Sequence, residues 1–146
     1  MITRPVEILL VEDDPGDVLI TREAFDHSAT SNVVRHVENG EEALRYLRRE
    51  GDYADAARPD LILLDLNLPR LDGRELLSIV KVDAQLRRIP VVVLTTSQAP
   101  EDIARSYDLH ANAFVTKPVD FDRFVEVVHE VDSFFFTVAS LPTNPN

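Results

Sequence analysis

The chain has 146 residues, with 26 acidic side chains against 15 lysines and arginines, a formal charge of −11 and no cysteine. That length suits one domain around one core, and 45% apolar with 28% charged residues is a globular rather than a disordered composition. So acidic a surface repels a phosphate backbone and argues against a nucleic-acid binder. The missing cysteines exclude disulfides, thiolate metal sites and a catalytic thiol.

The N-terminal stretch MITRPVEILLVEDD has only a short apolar run before acids interrupt it, too short for a signal peptide or a membrane span. The expectation is a soluble, cytoplasmic protein that engages no membrane. Five apolar bursts follow one another. They are Val6 to Val11, Val33 to Val37, Leu61 to Leu64, Val91 to Leu94 and Ala113 to Val115. Three are nearly continuous, as expected of strands covered on both faces in a parallel sheet. The second alternates and carries Arg35 and His36, which suits an edge strand.

Helical spacing fills the intervals. Asp14-Pro15 opens a first helix bearing Val18, Leu19, Arg22 and Phe25. Gly40-Glu41-Glu42 opens a second with Ala43, Leu44 and Leu47 as its stripe, and Arg45, Arg48 and Arg49 near its end complement the helix dipole. Asp72-Gly73 precedes a third with Leu76, Leu77 and Val80 inward. Ala99-Pro100-Glu101-Asp102 begins a fourth carrying Ile103, Ala104 and Tyr107. Asp120 caps a fifth that uses Phe121, Phe124, Val125, Val128 and Val131. A β-α unit repeated five times is an α/β architecture with helices on both faces of a parallel sheet.

Ligands of such sheets sit at the carboxyl ends of the strands. The first strand ends in Glu12-Asp13-Asp14, the third in Asp65, the fourth in Thr95-Thr96-Ser97, and the fifth leads to Lys117-Pro118. Clustered carboxylates repel one another and raise each other's pKa unless a cation intervenes. A hard divalent ion, Mg²⁺ above all, is the natural partner. The loop after the first strand also carries Asp17 and has Gly16 as its one glycine, so it cannot cradle a bare phosphate as a glycine-rich loop does. A phosphoryl group fits only where metal and Lys117 neutralise it. Asp65 then reads as a carboxylate nucleophile, with a Thr95 hydroxyl bonding a phosphoryl oxygen. Each signal alone has a bland reading: loop solvation, a turn former, a helix start, a surface lysine. Their joint occurrence after four strands of one sheet is what carries weight.

The segments ILLVEDDP, DLILLDLNLPRLDG, VVVLTTS and FVTKP, spread over residues 6–118, resemble a bacterial response-regulator receiver domain. The resemblance implies a flavodoxin-like, doubly wound five-stranded sheet of order 2-1-3-4-5 with five helices. It implies that Asp65 accepts a phosphoryl group from a histidine kinase and that Asp13 ligates Mg²⁺. Glu12 would act on the metal through water, and the Asn67 backbone carbonyl would add a ligand. Thr95 becomes the switch hydroxyl, with Thr96 its nearest competitor, Lys117 contacts the phosphoryl group, and Phe114 takes the aromatic switch position. The Lys117–Pro118 bond is often cis in the family. Phe114 lacks a phenolic hydroxyl, so any switch there rests on packing. His110-Ala111 stands where the family has glycine before alanine, so a positive φ would strain His110.

PRLDGRELL, LTTS, SYDLHANAFVTKPVDFDRF and the aromatic end Phe134-Phe135-Phe136 resemble stand-alone regulators serving phytochrome-like or other sensory kinases. The expectation is one receiver over residues 1–146, with a core of about 5–133 and a C-terminal extension 134–146. It would be a phosphoacceptor with at most slow autodephosphorylation rather than an enzyme. Three adjacent phenylalanines cannot share one buried helix face, which favours a homodimer through the fourth helix, fifth strand, fifth helix and aromatic segment. The alternative for that end is a tail folded back over the apolar surface, with Leu141 to Asn146 frayed. The histidines His27, His36, His110 and His129 show no metal-ligand spacing.

The competing readings are a Mg²⁺-dependent aspartyl phosphohydrolase, a flavin-binding protein and a receiver-like module that is never phosphorylated. Against the first, the isolated carboxylate follows the third strand, not the first. Against the second stand the four acids of the first loop. Against the third stand the intact acids, hydroxyl and lysine.

Overall fold

The structure, a computed structural model, describes residues 4–28 and 30–138. Five strands, β1 (Val6–Val11), β2 (Asn32–Val37), β3 (Leu61–Leu64), β4 (Val91–Thr95) and β5 (Ala113–Thr116), alternate with five helices. These are α1 (Pro15–Asp26), α2 (Gly40–Leu47), α3 (Gly73–Val82), α4 (Pro100–Asp108) and α5 (Phe121–Ser133). The strands pair parallel in the order β2-β1-β3-β4-β5, as the sequence leads one to expect. β2, with its polar Arg35 and His36, is an edge.

Alternation along each strand divides the core into two layers. Leu9, Val11, Ile62, Leu64 and Val93 face α2 and α3, meeting Ala43, Leu47, Leu76, Leu77 and Val80. Ile8, Leu10, Leu61, Leu63, Val92 and Leu94 face α1 and α5, meeting Phe25, Phe124, Val127 and Val128. All residues of β3 and β4 are buried, which explains why those runs are uninterrupted by polar side chains. The helix starts are set locally. Asp14, Asn39, Asp72 and Asp120 each accept backbone N–H bonds from the turn they cap.

Several apolar residues named on the helices point outward. Leu19 is 66% exposed because the inward stripe of α1 runs through Thr21, Ala24 and Phe25, most of half a helical turn away. Phe121 is 52% exposed; it heads α5, one turn before the first inward residue, Phe124. On α4, Ala104 and Tyr107 are exposed and Ser106 is the one fully buried residue. α4 therefore presents much of its surface outward. The helix also ends in strain, since His110 has φ +71°, a left-handed conformation that favours glycine.

A π-helical segment (Phe134–Val138) continues α5. Phe135 is buried in the α1/α5 layer, Phe136 packs partly against it, and Phe134 is 53% exposed. The Leu141–Asn146 tail lies outside the described residues. Among the described residues, no helix is long and apolar enough to cross a membrane.

Candidate functional site

The ends of β1, β3, β4 and β5 bring the expected polar residues to one edge of the sheet. Glu12 and Asp65 directly follow β1 and β3, and their backbones stay in register. Glu12 N donates to the Val37 carbonyl at 3.1 Å, and Asp65 N donates to that of Val11 at 3.1 Å. Lys117 follows β5, with its N–H on the Thr95 carbonyl at 2.7 Å. Its ammonium donates to Glu12 Oε1, to Asp17 Oδ2 at 2.8 Å and to Asp65 Oδ2 at 3.3 Å. Four carboxylates, counting Asp13, thus gather around one ammonium. Glu12, Asp13 and Asp65 each offer an oxygen within 4.8 Å of the others. Hard oxygen donors in net negative surplus are a donor set that suits a divalent cation such as Mg²⁺.

Burial sharpens the electrostatics. The Glu12 and Lys117 side chains are each 4% exposed. Burial pushes the Glu12 carboxyl up, to about 7, against the opposing pull of Lys117 and with added repulsion from Asp65. Burial alone would lower Lys117, but hydrogen bonds to Asp17 and Glu12 and the charge of Asp65 hold its ammonium well above the ordinary lysine range. The second Glu12 oxygen accepts from the N–H groups of Asp13 and Asp14 at 3.1 and 3.2 Å. Asp13 itself is exposed at the mouth of the site.

Asp65 Oδ1 accepts from the Asn67 N–H at 3.3 Å, which fixes the carboxylate and places Asn67 in the same turn. Gly73 packs beneath it. A Cβ there would stand 2.3 Å from the Asp65 carbonyl oxygen and 2.7 Å from Leu66 Cα, so the close approach of α3 to this turn requires glycine. Thr95 closes β4, fully buried, and its Oγ1 accepts from Ser97 N at 3.4 Å; Thr96 is exposed. Phe114 is half-buried against the α2/α3 layer, and its N–H donates to the Tyr107 hydroxyl at 3.2 Å. The Lys117–Pro118 bond is trans, like every peptide bond among the described residues, correcting the cis expectation; trans is the lower-energy isomer by about 0.5–1 kcal/mol.

Two partners escaped the sequence reading. Asp17 counts there only as a loop acid, although one helical turn of α1 swings it onto Lys117. His36 reads as an edge-strand residue, yet its Nε2 bonds the Glu12 carbonyl at 2.7 Å. Pairing of β1 with β2 places His36 beside Leu10, and strand pairing is what a single sequence does not reveal.

Residues 8–129 match the family described as the response regulator receiver domain. The chain is 41% identical over 138 residues to the response regulator Rcp1 of Synechocystis, covering 94% of each protein. The phosphorylated cyanobacterial phytochrome response regulator RcpA superposes with a TM-score of 0.93 at 47% identity, covering 96% of this chain and all of that one. The Mn²⁺-bound form of Rcp1 gives 0.91 at 40% identity, covering 95% and 100%. With the sheet order, the acidic edge and these likenesses together, the chain belongs to the response-regulator receiver family.

Proposed function

We propose that the protein is a phosphoacceptor switch in which Asp65 takes a phosphoryl group from a sensory histidine kinase, phytochrome-like in type. The observation that carries this is the convergence of Asp65, Glu12 and Asp13 on one oxygen-lined site with Lys117 reaching the same carboxylate. An Asp65 carboxylate oxygen attacks the phosphorus of phosphohistidine. The P–N bond breaks, and the imidazole leaves with the electron pair and takes up a proton. Lys117, released from part of its carboxylate set, offsets charge on a phosphoryl oxygen, and the Thr95 hydroxyl donates to another.

Glu12, Asp13, Asp65 and the Asn67 carbonyl would hold Mg²⁺, which supplies charge neutralisation on the phosphoryl oxygens. Phe114 would follow Thr95 by packing. The protein would act in the cytoplasm as a phosphoacceptor, not a turnover enzyme, losing its phosphoryl group slowly by hydrolysis. The working unit would be the receiver core of about 5–133, with 134–146 extending its contact surface.

Output would pass through protein contacts, including a homodimer built on α4, β5, α5 and the aromatic segment. A groove of about 480 Å³ lies there, lined among others by Val115, Pro118, Val127, Val131 and Phe134. The exposed Phe134 ring stands edge-on to Phe135 at 5.1 Å and supplies an apolar anchor. The phosphoacceptor reading is tested by incubation with acetyl phosphate and Mg²⁺. Wild type gains the mass of one phosphoryl group and Asp65→Asn gains none; an unmodified wild type refutes it.

A further inference from the structure

The loop between β4 and α4 is tied to the turn that carries Asp65 by side chains outside the acidic site. Arg74, in the first turn of α3, lies next to Gly73, whose N–H bonds the Leu66 carbonyl at 3.0 Å and whose backbone packs on Asp65. Its guanidinium reaches across to α4, donating from Nη2 and Nε to Asp102 Oδ1 at 2.7 and 3.2 Å, and from Nη1 to Asp72 at 3.3 Å. Asp102 uses its other oxygen to accept from Ser97 Oγ at 2.6 Å. Ser97 in turn accepts at Oγ from Ala99 N at 3.3 Å and donates its own N–H to Thr95 Oγ1 at 3.4 Å. The Thr116 hydroxyl donates to the Ser97 carbonyl at 3.4 Å, bringing in the end of β5.

A continuous chain therefore runs from the Asp65 turn through Arg74, Asp102 and Ser97 to the Thr95 hydroxyl. Both charged side chains are about four-fifths covered. The Ser97 hydrogen bond, with Arg74 beside it, holds the Asp102 carboxyl below the usual carboxylate range, so it is an acceptor at neutral pH and cannot compete as a donor. Thr95 Oγ1 accepts from the loop, which leaves its single proton free to point at an oxygen held on Asp65. Ala99 caps α4 without a side-chain bond, and that helix buries only Ser106 fully, so the Arg74–Asp102–Ser97 chain is a main restraint on its first turn.

We infer that Arg74 is a positioning residue which, through Asp102 and Ser97, couples the Asp65 turn to the first turn of α4 and sets the hydrogen-bonding direction of Thr95. The inference rests on the phosphoacceptor reading for its signal but not for its geometry. Breaking the chain spares phosphorylation and cuts the response of α4 to it. A fork of two nitrogens on one carboxylate oxygen is specific to arginine, so lysine keeps the charge and only part of the coupling.

Amide hydrogen exchange, read with intact mass on the same samples, tests this. Wild type, Arg74→Gln, Arg74→Lys and Asp102→Asn are compared with and without acetyl phosphate and Mg²⁺. Resting Arg74→Gln and Asp102→Asn should exchange about tenfold faster over residues 97–103 while far strands keep wild-type protection. On phosphorylation they should gain the same mass as wild type yet lose the wild-type exchange change over 97–108, and Arg74→Lys should recover part of it. A full wild-type response in Arg74→Gln overturns the inference, as does failure of that variant alone to accept the phosphoryl group. Should wild type itself remain unmodified, the phosphoacceptor reading falls, and unchanged resting exchange over 97–103 in Arg74→Gln would overturn the coupling on its own.

Discussion

Replacing Lys117 with methionine removes the one ammonium in contact with three carboxylates while keeping the length and most of the volume of the side chain. Glu12 is the sensitive partner, because its side chain is 4% exposed and already titrates at about 7 against an unfolded value near 4.5. A carboxyl raised in the folded state contributes stability that is full below about pH 4.5 and fades as pH rises through about 7. The variant loses the hydrogen bond and charge that hold Glu12 down, so its titration moves higher and the loss continues past pH 7. Lys117, raised in the fold, is charged throughout this window and adds no pH dependence of its own. At pH 6 Glu12 is protonated in both folded proteins, and the substitution costs about 1–2 kcal/mol in hydrogen bonds. Between pH 6 and pH 8 the gap should widen by about 1.4 kcal/mol, one pKa unit's worth. That brings it to about 3 kcal/mol, the lower part of the range for breaking a buried ion pair. Urea unfolding of both proteins in EDTA at the two pH values measures it. A gap that stays constant or narrows toward pH 8 refutes the reasoning.

Three further outcomes follow from the same geometry. Gly73→Ala sets a methyl group 2.3 Å from the Asp65 carbonyl oxygen, and overpacking of that kind should cost about 2 kcal/mol, or about 4–8 °C in Tm; a Tm at or above wild type would show that the close approach is not what requires glycine. Because Glu12, raised to about 7, must shed its proton to face a cation, Mg²⁺ affinity should fall about tenfold from pH 8 to pH 6, with about one proton released on binding at pH 6, and titration calorimetry giving a flat profile contradicts this. Phe134→Asp should convert a light-scattering dimer to monomer with the circular dichroism spectrum of the fold retained, whereas Phe135, buried among Ala24, Phe25 and Val128, is the wrong residue to probe; a wild type monomeric at all working concentrations removes the dimer.

What the sequence made legible follows from periodicity and punctuation. Continuous apolar runs marked β1, β3 and β4 because burial on both faces forbids polar interruption, and Asp14, Asp72 and Asp120 marked helix starts because their side chains complete the first turn. Glu12, Asp13, Asp65 and Lys117 were readable because they follow the ends of strands. The outward side of Leu19, Phe121, Ala104 and Tyr107 was not legible because an apolar letter does not say which side of a helix faces a neighbour, and α4 has little neighbour to face. Asp17 and His36 join the site through a helical turn and a strand pairing. The Arg74–Asp102–Ser97 chain joins residues 28 and 5 positions apart in sequence, through an approach of α3 to α4 that no local pattern records.

The most direct measurement is the site of phosphorylation. Wild type and Asp65→Asn are incubated with acetyl phosphate and Mg²⁺, the intact masses compared, and the adduct challenged with base and with neutral hydroxylamine. The expected result is one phosphoryl group on wild type, lost in base and cleaved by hydroxylamine as an acyl phosphate is, and none on Asp65→Asn. An unmodified wild type with Mg²⁺ binding verified, or a phosphoryl group that persists in Asp65→Asn, would contradict the assignment of Asp65 as the acceptor.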